Sequence, residues 1–227
     1  MREPSYARRT VDSETVVPTT RAERRGLATA ETRSSILAAA RARLLAEGYA
    51  NLSTRAVAEA AGVPLSQIHY HFGSKQQLIL AVLEAENARL LARQRRMYEG
   101  PEPLSRHWDL ACDFLDEDIE SGYVRVLQEM IAAGWSDAAV ASAVRELLGG
   151  WYGLLADVAR REAERLGGLG PFTPEEVAML MGLPFMGAEG AILLGMDERQ
   201  FPVRTALRKI GALIASAEGA GEREMTA

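Results

Sequence analysis

The stretch Ser53–Lys75, STRAVAEAAGVPLSQIHYHFGSK, decides how the chain is read. Ser53 and Thr54 carry side-chain oxygens that can accept one of the orphan N–H groups opening a helix. Ala56, Val57, Ala60 and Ala61 follow at three- and four-residue spacing and put a small apolar stripe on one face. Gly62 then stops the helix, since glycine takes the left-handed conformation that helix C-termini often need. Val63 turns inward, and Pro64 opens a second helix at a position where a missing N–H costs nothing. That helix spans Leu65 to Phe72, anchored by Ile68 and Phe72 one turn apart. Two short helices joined by a tight turn, with small residues where they cross, predict a helix-turn-helix.

Working outward, Gly48-Tyr49 precedes this stretch, and Ser53-Thr54-Arg55-Ala56-Val57-Ala58, Ala61-Gly62-Val63, Ile68-His69-Tyr70-His71-Phe72 and Ser74-Lys75 fall at fixed offsets within it. The segment from about Thr29 to Leu83 resembles the TetR (tetracycline-repressor-like) family of transcriptional regulators. The resemblance implies an all-α homodimer of about nine helices. An N-terminal three-helix DNA-binding domain would be joined to a C-terminal helical domain that binds a ligand and dimerises. It further implies double-stranded operator DNA and a small-molecule effector as partners, and repression by operator occlusion as the commonest mode.

Bulk composition agrees with an all-α chain: Ala, Leu, Glu and Arg are abundant and β-branched runs are scarce. The single cysteine, Cys112, allows no internal disulfide and suits a reducing, cytoplasmic setting. The N-terminus bears arginines without an apolar core, so no signal peptide is expected. No apolar run approaches the roughly 18 residues of a membrane span, so no membrane partner is expected. The net charge of −5 divides unevenly. Residues 1–96 carry 15 Lys and Arg against 9 Asp and Glu, and the remainder carries 11 against 22. A basic module on an acidic body fits polyanion binding through one end only. Two solvated faces would give the same count.

Residues 1–28 lack periodicity and read as a flexible basic arm. Arg21, Arg24 and Arg25 stand close enough to the domain to reach a minor groove or phosphates. The DNA-binding domain is expected over 29–75, with its first helix capped by Thr29 or Thr32 and ending near Glu47-Gly48. A sensing and dimerisation domain is expected over 76–220. Ser74 caps a fourth helix running to about Met97, the mechanical link between the two. Helices follow over 104–120, 123–133, 137–166, 174–194 and 202–217, with Pro184 expected to kink the fourth of these. By position in the family, 174–194 and 202–217 would form the dimer interface, although both could simply close their own core. A dimer would set two recognition helices one DNA turn apart, about 34–36 Å, on a palindromic operator.

On the second helix of the motif, Leu65, Ser66, Gln67, His69 and Tyr70 occupy the side away from Ile68 and Phe72. Ser66 and Gln67 can bond base edges, Gln suiting adenine, and Leu65 can meet a thymine methyl. Thr54 and Arg55 are phosphate candidates, and Tyr70 and Lys75 stand where family members touch phosphate. Pro64, Gln67 and His69 depart from the family's frequent residues, so the operator sequence does not carry over. His69 and His71 spell HxH but point about 200° apart on a helix, which argues against a metal.

In the body, aromatic and methionine side chains suit an apolar ligand wall, and Trp108, Cys112, Trp135, Trp151, Tyr152, Met181 and Phe185 are the candidates. Ordinary core packing explains any one of them equally well. His107, Asp109 and Glu129 could add polar specificity. No cofactor is implied. An enzyme would need a positioned nucleophile, base or metal set, and Cys112 and His107, five apart on one predicted helix, do not face one another. A DNA-binding regulator without a small-molecule ligand is the remaining alternative.

Overall fold

A computed structural model describes residues 20–225, and among these residues it forms nine helices and no strand. Helix α1 (Arg21–Asn51) begins eight residues before Thr29. Residues 21–28 therefore lie in α1, and the expectation for 1–19 lies outside the described residues. The reason is local: Arg, Ala and Glu dominate 21–31 and no proline interrupts them, so propensity carries the helix outward. Thr32 is no cap, because its hydroxyl donates back to the Ala28 carbonyl at 2.8 Å. The groove or phosphate role considered for Arg21, Arg24 and Arg25 concerns side chains outside those described.

Helices α2 (Thr54–Ala60) and α3 (Leu65–Phe72) form the helix-turn-helix. Ser53 caps α2 by accepting from the Ala56 N–H, so Thr54 is the first helical residue and not the cap. Gly62 adopts φ 67, and the Val63 N–H returns to the Ala58 carbonyl at 3.0 Å. Pro64 sits one place earlier than expected, as the N-cap of α3, without a side-chain capping bond. Ile68 is wholly buried, worth about 2–3 kcal/mol by area.

Helix α4 (Lys75–Tyr98) is capped by Ser74 and buries Leu78, Ile79, Val82 and Leu83. The body follows as α5 (Leu104–Glu120), α6 (Tyr123–Gly134), α7 (Ala138–Leu166), α8 (Pro174–Leu193) and α9 (Val203–Met225). Asp137 caps α7 and also accepts from Gln76 at 2.9 Å, tying α7 to the start of α4. Thr173 and Glu176 close a reciprocal capping box on α8. Helix α8 continues through Pro184, and α9 extends past residue 217. Packing pairs α7 with α8, α5 with α9, and α1 with both α4 and α6. One buried cluster consequently runs from Ile36, Leu44 and Ile68 through Leu78 to Val126 and Met130.

Helix α8 corrects the expectation about apolar runs. Its length and composition suffice to cross a membrane, with mean hydropathy 1.3. Yet it packs against α5, α7 and α9 and buries Phe185, Ala188 and Glu189. Leu180, Leu183 and Leu194 are left more than half exposed, as is Leu213 on α9.

Candidate functional site

Two regions hold the side chains singled out above. The first is the outer face of the helix-turn-helix. With Ile68 and Phe72 turned into the core, Ser66, His69 and Tyr70 are exposed, Tyr70 at 73%, and Leu65 and Gln67 are half-buried. Exposing an aromatic ring to that extent on a short helix forgoes burial that the core could have used. The Tyr70 ring meets His71 edge-on at 5.0 Å, and His69 Nδ1 lies 3.2 Å from the Gly73 carbonyl. On α2, Arg55 is exposed and Thr54 half-buried. Lys75 is folded back: its ammonium donates to the Ala50 carbonyl at 3.5 Å and lies over the Tyr49 ring. Arg33 of α1, which the sequence reading left outside the motif, is exposed and sits over the Phe72 ring at 5.1 Å. Its approach to Phe72 of α3 was not legible from spacing within Ser53–Lys75.

The second region is a cavity inside the body, with about 850 Å³ of space free of protein atoms when its open mouth is counted. Helices α4 to α8 all contribute walls. Four expected residues line it: Trp108, Trp151, Met181 and Phe185. Three expected ones do not. Trp135, at the C-terminal cap of α6, is 82% exposed. Cys112 is buried in the core on another face of α5, and burial pushes its thiol up to about 11. Tyr152 packs toward Gly182, where an added Cβ would come within 2.5 Å of its ring. The polar residues also differ from those expected. His107 is buried against Tyr98, Asp109 lies beside Gly211, and Glu129 accepts from the Tyr49 N–H. Asn87, Gln94, Asp118 and Glu189 are the polar residues of the lining, together with Tyr98 and Tyr123.

These polar groups are partly engaged. Gln94 accepts from the Trp151 indole at 2.9 Å, and Arg93 donates to Asp118 at 2.6 Å. Burial nonetheless raises the Asp118 carboxyl above its ordinary value, opposed by that arginine. Glu189 accepts from the Gln128 amide at 2.6 Å, and burial pushes its carboxyl up to about 7. A signal for Glu189 was present in the sequence: it is the lone charged residue between Val177 and Leu194.

Two helices carry the cavity on one face and α1 on another. Tyr123, Val124 and Leu127 of α6 line the cavity, while Arg125 donates to the Leu45 carbonyl at 2.7 Å and Glu129 accepts from Tyr49 N–H at 2.5 Å. Asn87, Leu90 and Leu91 of α4 line it too, while the adjacent Glu86 takes a two-pronged bond from Arg41 at 2.5 and 2.9 Å. At the joint, Gly48 leaves helical geometry at φ 82 and Gly122 sits at φ 84. A Cβ on Gly122 would lie 2.2 Å from the Leu45 carbonyl oxygen, so only glycine permits this approach. Among the described residues, no group of three or more His, Cys, Asp or Glu is placed to hold a metal.

Residues 36–82 match the family of bacterial regulatory proteins, tetR family. Among solved structures, a putative TetR-family transcriptional regulator from Rhodococcus sp. is 22% identical with a TM-score of 0.65, covering 82% of this chain and 98% of its own. A TetR transcription regulator from Haloarcula marismortui is 21% identical with a TM-score of 0.66, covering 83% and 98%. FadR from Bacillus subtilis, solved in complex with stearoyl-CoA, is 11% identical with a TM-score of 0.60, covering 80% and 96%. Among curated proteins nothing matches the chain.

Proposed function

We propose that this chain, which carries the helix-turn-helix segment of the tetR family, is a sequence-specific DNA-binding transcriptional regulator. The observation that carries the reading is the face of α3: two apolar anchors buried, and a polar and aromatic row left exposed opposite them. In this reading residues 29–75 are the DNA-binding unit, preceded by an arm within 1–28 that the start of α1 shortens, and 76–220 sense and dimerise. Ser66, Gln67 and His69 read base edges, with Leu65 against a thymine methyl. Thr54, Arg55, Tyr70 and Lys75 hold phosphates, Lys75 by exchanging its bond to Ala50 for one to the backbone. Arg33 joins them. The exposed leucines of α8 and α9 bury against a second copy, which sets two recognition helices on a palindromic operator. The protein acts as a repressor in the cytoplasm.

The cavity favours a small, largely apolar effector over a regulator without one. That a protein of the same fold is described in complex with stearoyl-CoA accords with there being an effector, though not with its size or charge. The effector works through the two-faced helices. Filling the cavity displaces α6 and α4, and their grips on Leu45, Tyr49 and Arg41 carry the displacement into α1. The separation of the recognition helices changes, and both half-sites can no longer be met together.

The test is fluorescence-anisotropy binding to the DNA upstream of the protein's own coding sequence, across a salt series, beside a Tyr70→Ala/Lys75→Ala variant. Specific binding that falls steeply with salt is expected, weakened at least about tenfold in the variant, with a shallower salt slope. Genomic capture that returns no specific site would overturn the reading.

A further inference from the structure

The cavity's charge carries an inference about what it takes. Its charged lining residues, among those described, are Asp118 and Glu189, and no Lys, Arg or His stands beside them in the lining. Asp118 is offset by Arg93, whose guanidinium lies 4.0 Å from the centre of the Phe114 ring. Glu189 differs. It is 7% exposed, and its carboxyl accepts from the neutral Gln128 amide. The same lining holds Trp108 and Phe185, whose rings meet at 5.1 Å, together with Trp151, Tyr123 and Met181. A carboxylate buried in a largely apolar lining without a counter-ion is unfavourable, and burial raises its pKa to about 7 accordingly. An arriving cation removes that penalty. The faces of the same rings attract it further.

We propose that the cavity binds a lipophilic cation, its positive centre against Glu189 and its aromatic or alkyl body among Trp108, Trp151, Phe185 and Met181. This rests on the regulator reading, since it names the class of effector for that cavity. An anionic ligand would bring its charge against two carboxylates and lose the hydration that the apolar walls cannot replace.

Tetraphenylphosphonium and tetraphenylborate make the test, because they share a shape and differ in the sign of charge. The protein has three tryptophans, so Trp135→Phe leaves Trp108 and Trp151, both in the cavity wall, as the reporters. Quenching of their fluorescence is expected at micromolar phosphonium, with the borate bound at least about tenfold more weakly. Adding Glu189→Gln is expected to weaken the phosphonium about tenfold and to shrink the preference between the two ions. Equal affinities, preference for the borate, binding of neither ion, or an unchanged preference in the Gln variant would each overturn the inference. Operator binding is read separately by anisotropy. Cation binding without DNA binding would sink the regulator reading alone, and DNA binding without cation preference would sink this one alone.

Discussion

The helix-turn-helix and the cavity are built on opposite plans. The first is local: Ser53, Gly62, Val63, Ile68 and Phe72 all act within about twenty residues, and each does its work through spacing along the chain. The second is assembled from five helices, and Asn87 and Glu189, about a hundred residues apart, line one cavity. A local unit keeps its shape when its neighbours shift. A site made by five helices does not, because moving any helix changes the volume between them. That contrast suits a rigid reader coupled to a deformable sensor, and the joint between them is α6 against the end of α1.

The joint is where the largest effect is expected. Gly122→Ala introduces a Cβ about 2.2 Å from the Leu45 carbonyl at a residue with φ 84. Overpacking against backbone and the left-handed conformation together should cost about 3 kcal/mol or more. Urea denaturation, followed by far-ultraviolet circular dichroism, should show a midpoint lowered to match. A loss of unfolding free energy below about 0.5 kcal/mol would mean that the two regions are not held at this contact.

How legible each region was follows from the same contrast. The helix-turn-helix could be read because capping, turn and anchor residues announce themselves by type and offset. Even there, propensity overrode cap chemistry: Thr29 and Thr32 look like caps, yet α1 starts at Arg21. The cavity could be read only by residue type. Trp108, Trp151, Met181 and Phe185 belonged to it, but Trp135, Cys112 and Tyr152 did not, because type does not give the direction a side chain takes on its helix. Glu189 was passed over, although a lone charge inside an apolar helix has to be accommodated by something.

Glu189 supplies the next effect, confined to the deformable region. Its carboxyl is raised from 4.5 to about 7 by burial, so the folded protein holds a proton that the unfolded chain releases. Stability from this group is therefore fully present below about pH 4.5 and is lost as pH rises through about 7, by roughly 3 kcal/mol. The groups facing it are Asp118 on α5, Tyr123 and Gln128 on α6, and Tyr152 on α7. Glu189→Gln removes the titration. Its melting temperature should exceed that of the unmodified protein at pH 8 by more than it does at pH 5. A gap independent of pH would show that the carboxyl is not held in the strained state assigned to it.

The smallest effect tests the joint as a transmitter and not merely as a brace. Glu129→Gln keeps the shape that fills the space beside Gly48 but replaces a charged acceptor for the Tyr49 N–H with a neutral one. The stability cost should be about 1 kcal/mol, the difference between a charged and an ordinary hydrogen bond. A brace would show that loss and nothing more. A transmitter would show a second change, in the ratio of operator affinities measured with and without tetraphenylphosphonium. Linkage between two sites typically amounts to about 1–3 kcal/mol. If the grip of α6 on α1 carries part of it, the ratio should move toward one in the variant while operator affinity without the cation stays nearly the same. A ratio that holds would shift the coupling onto α4, through Glu86 and Arg41, and leave α6 as support.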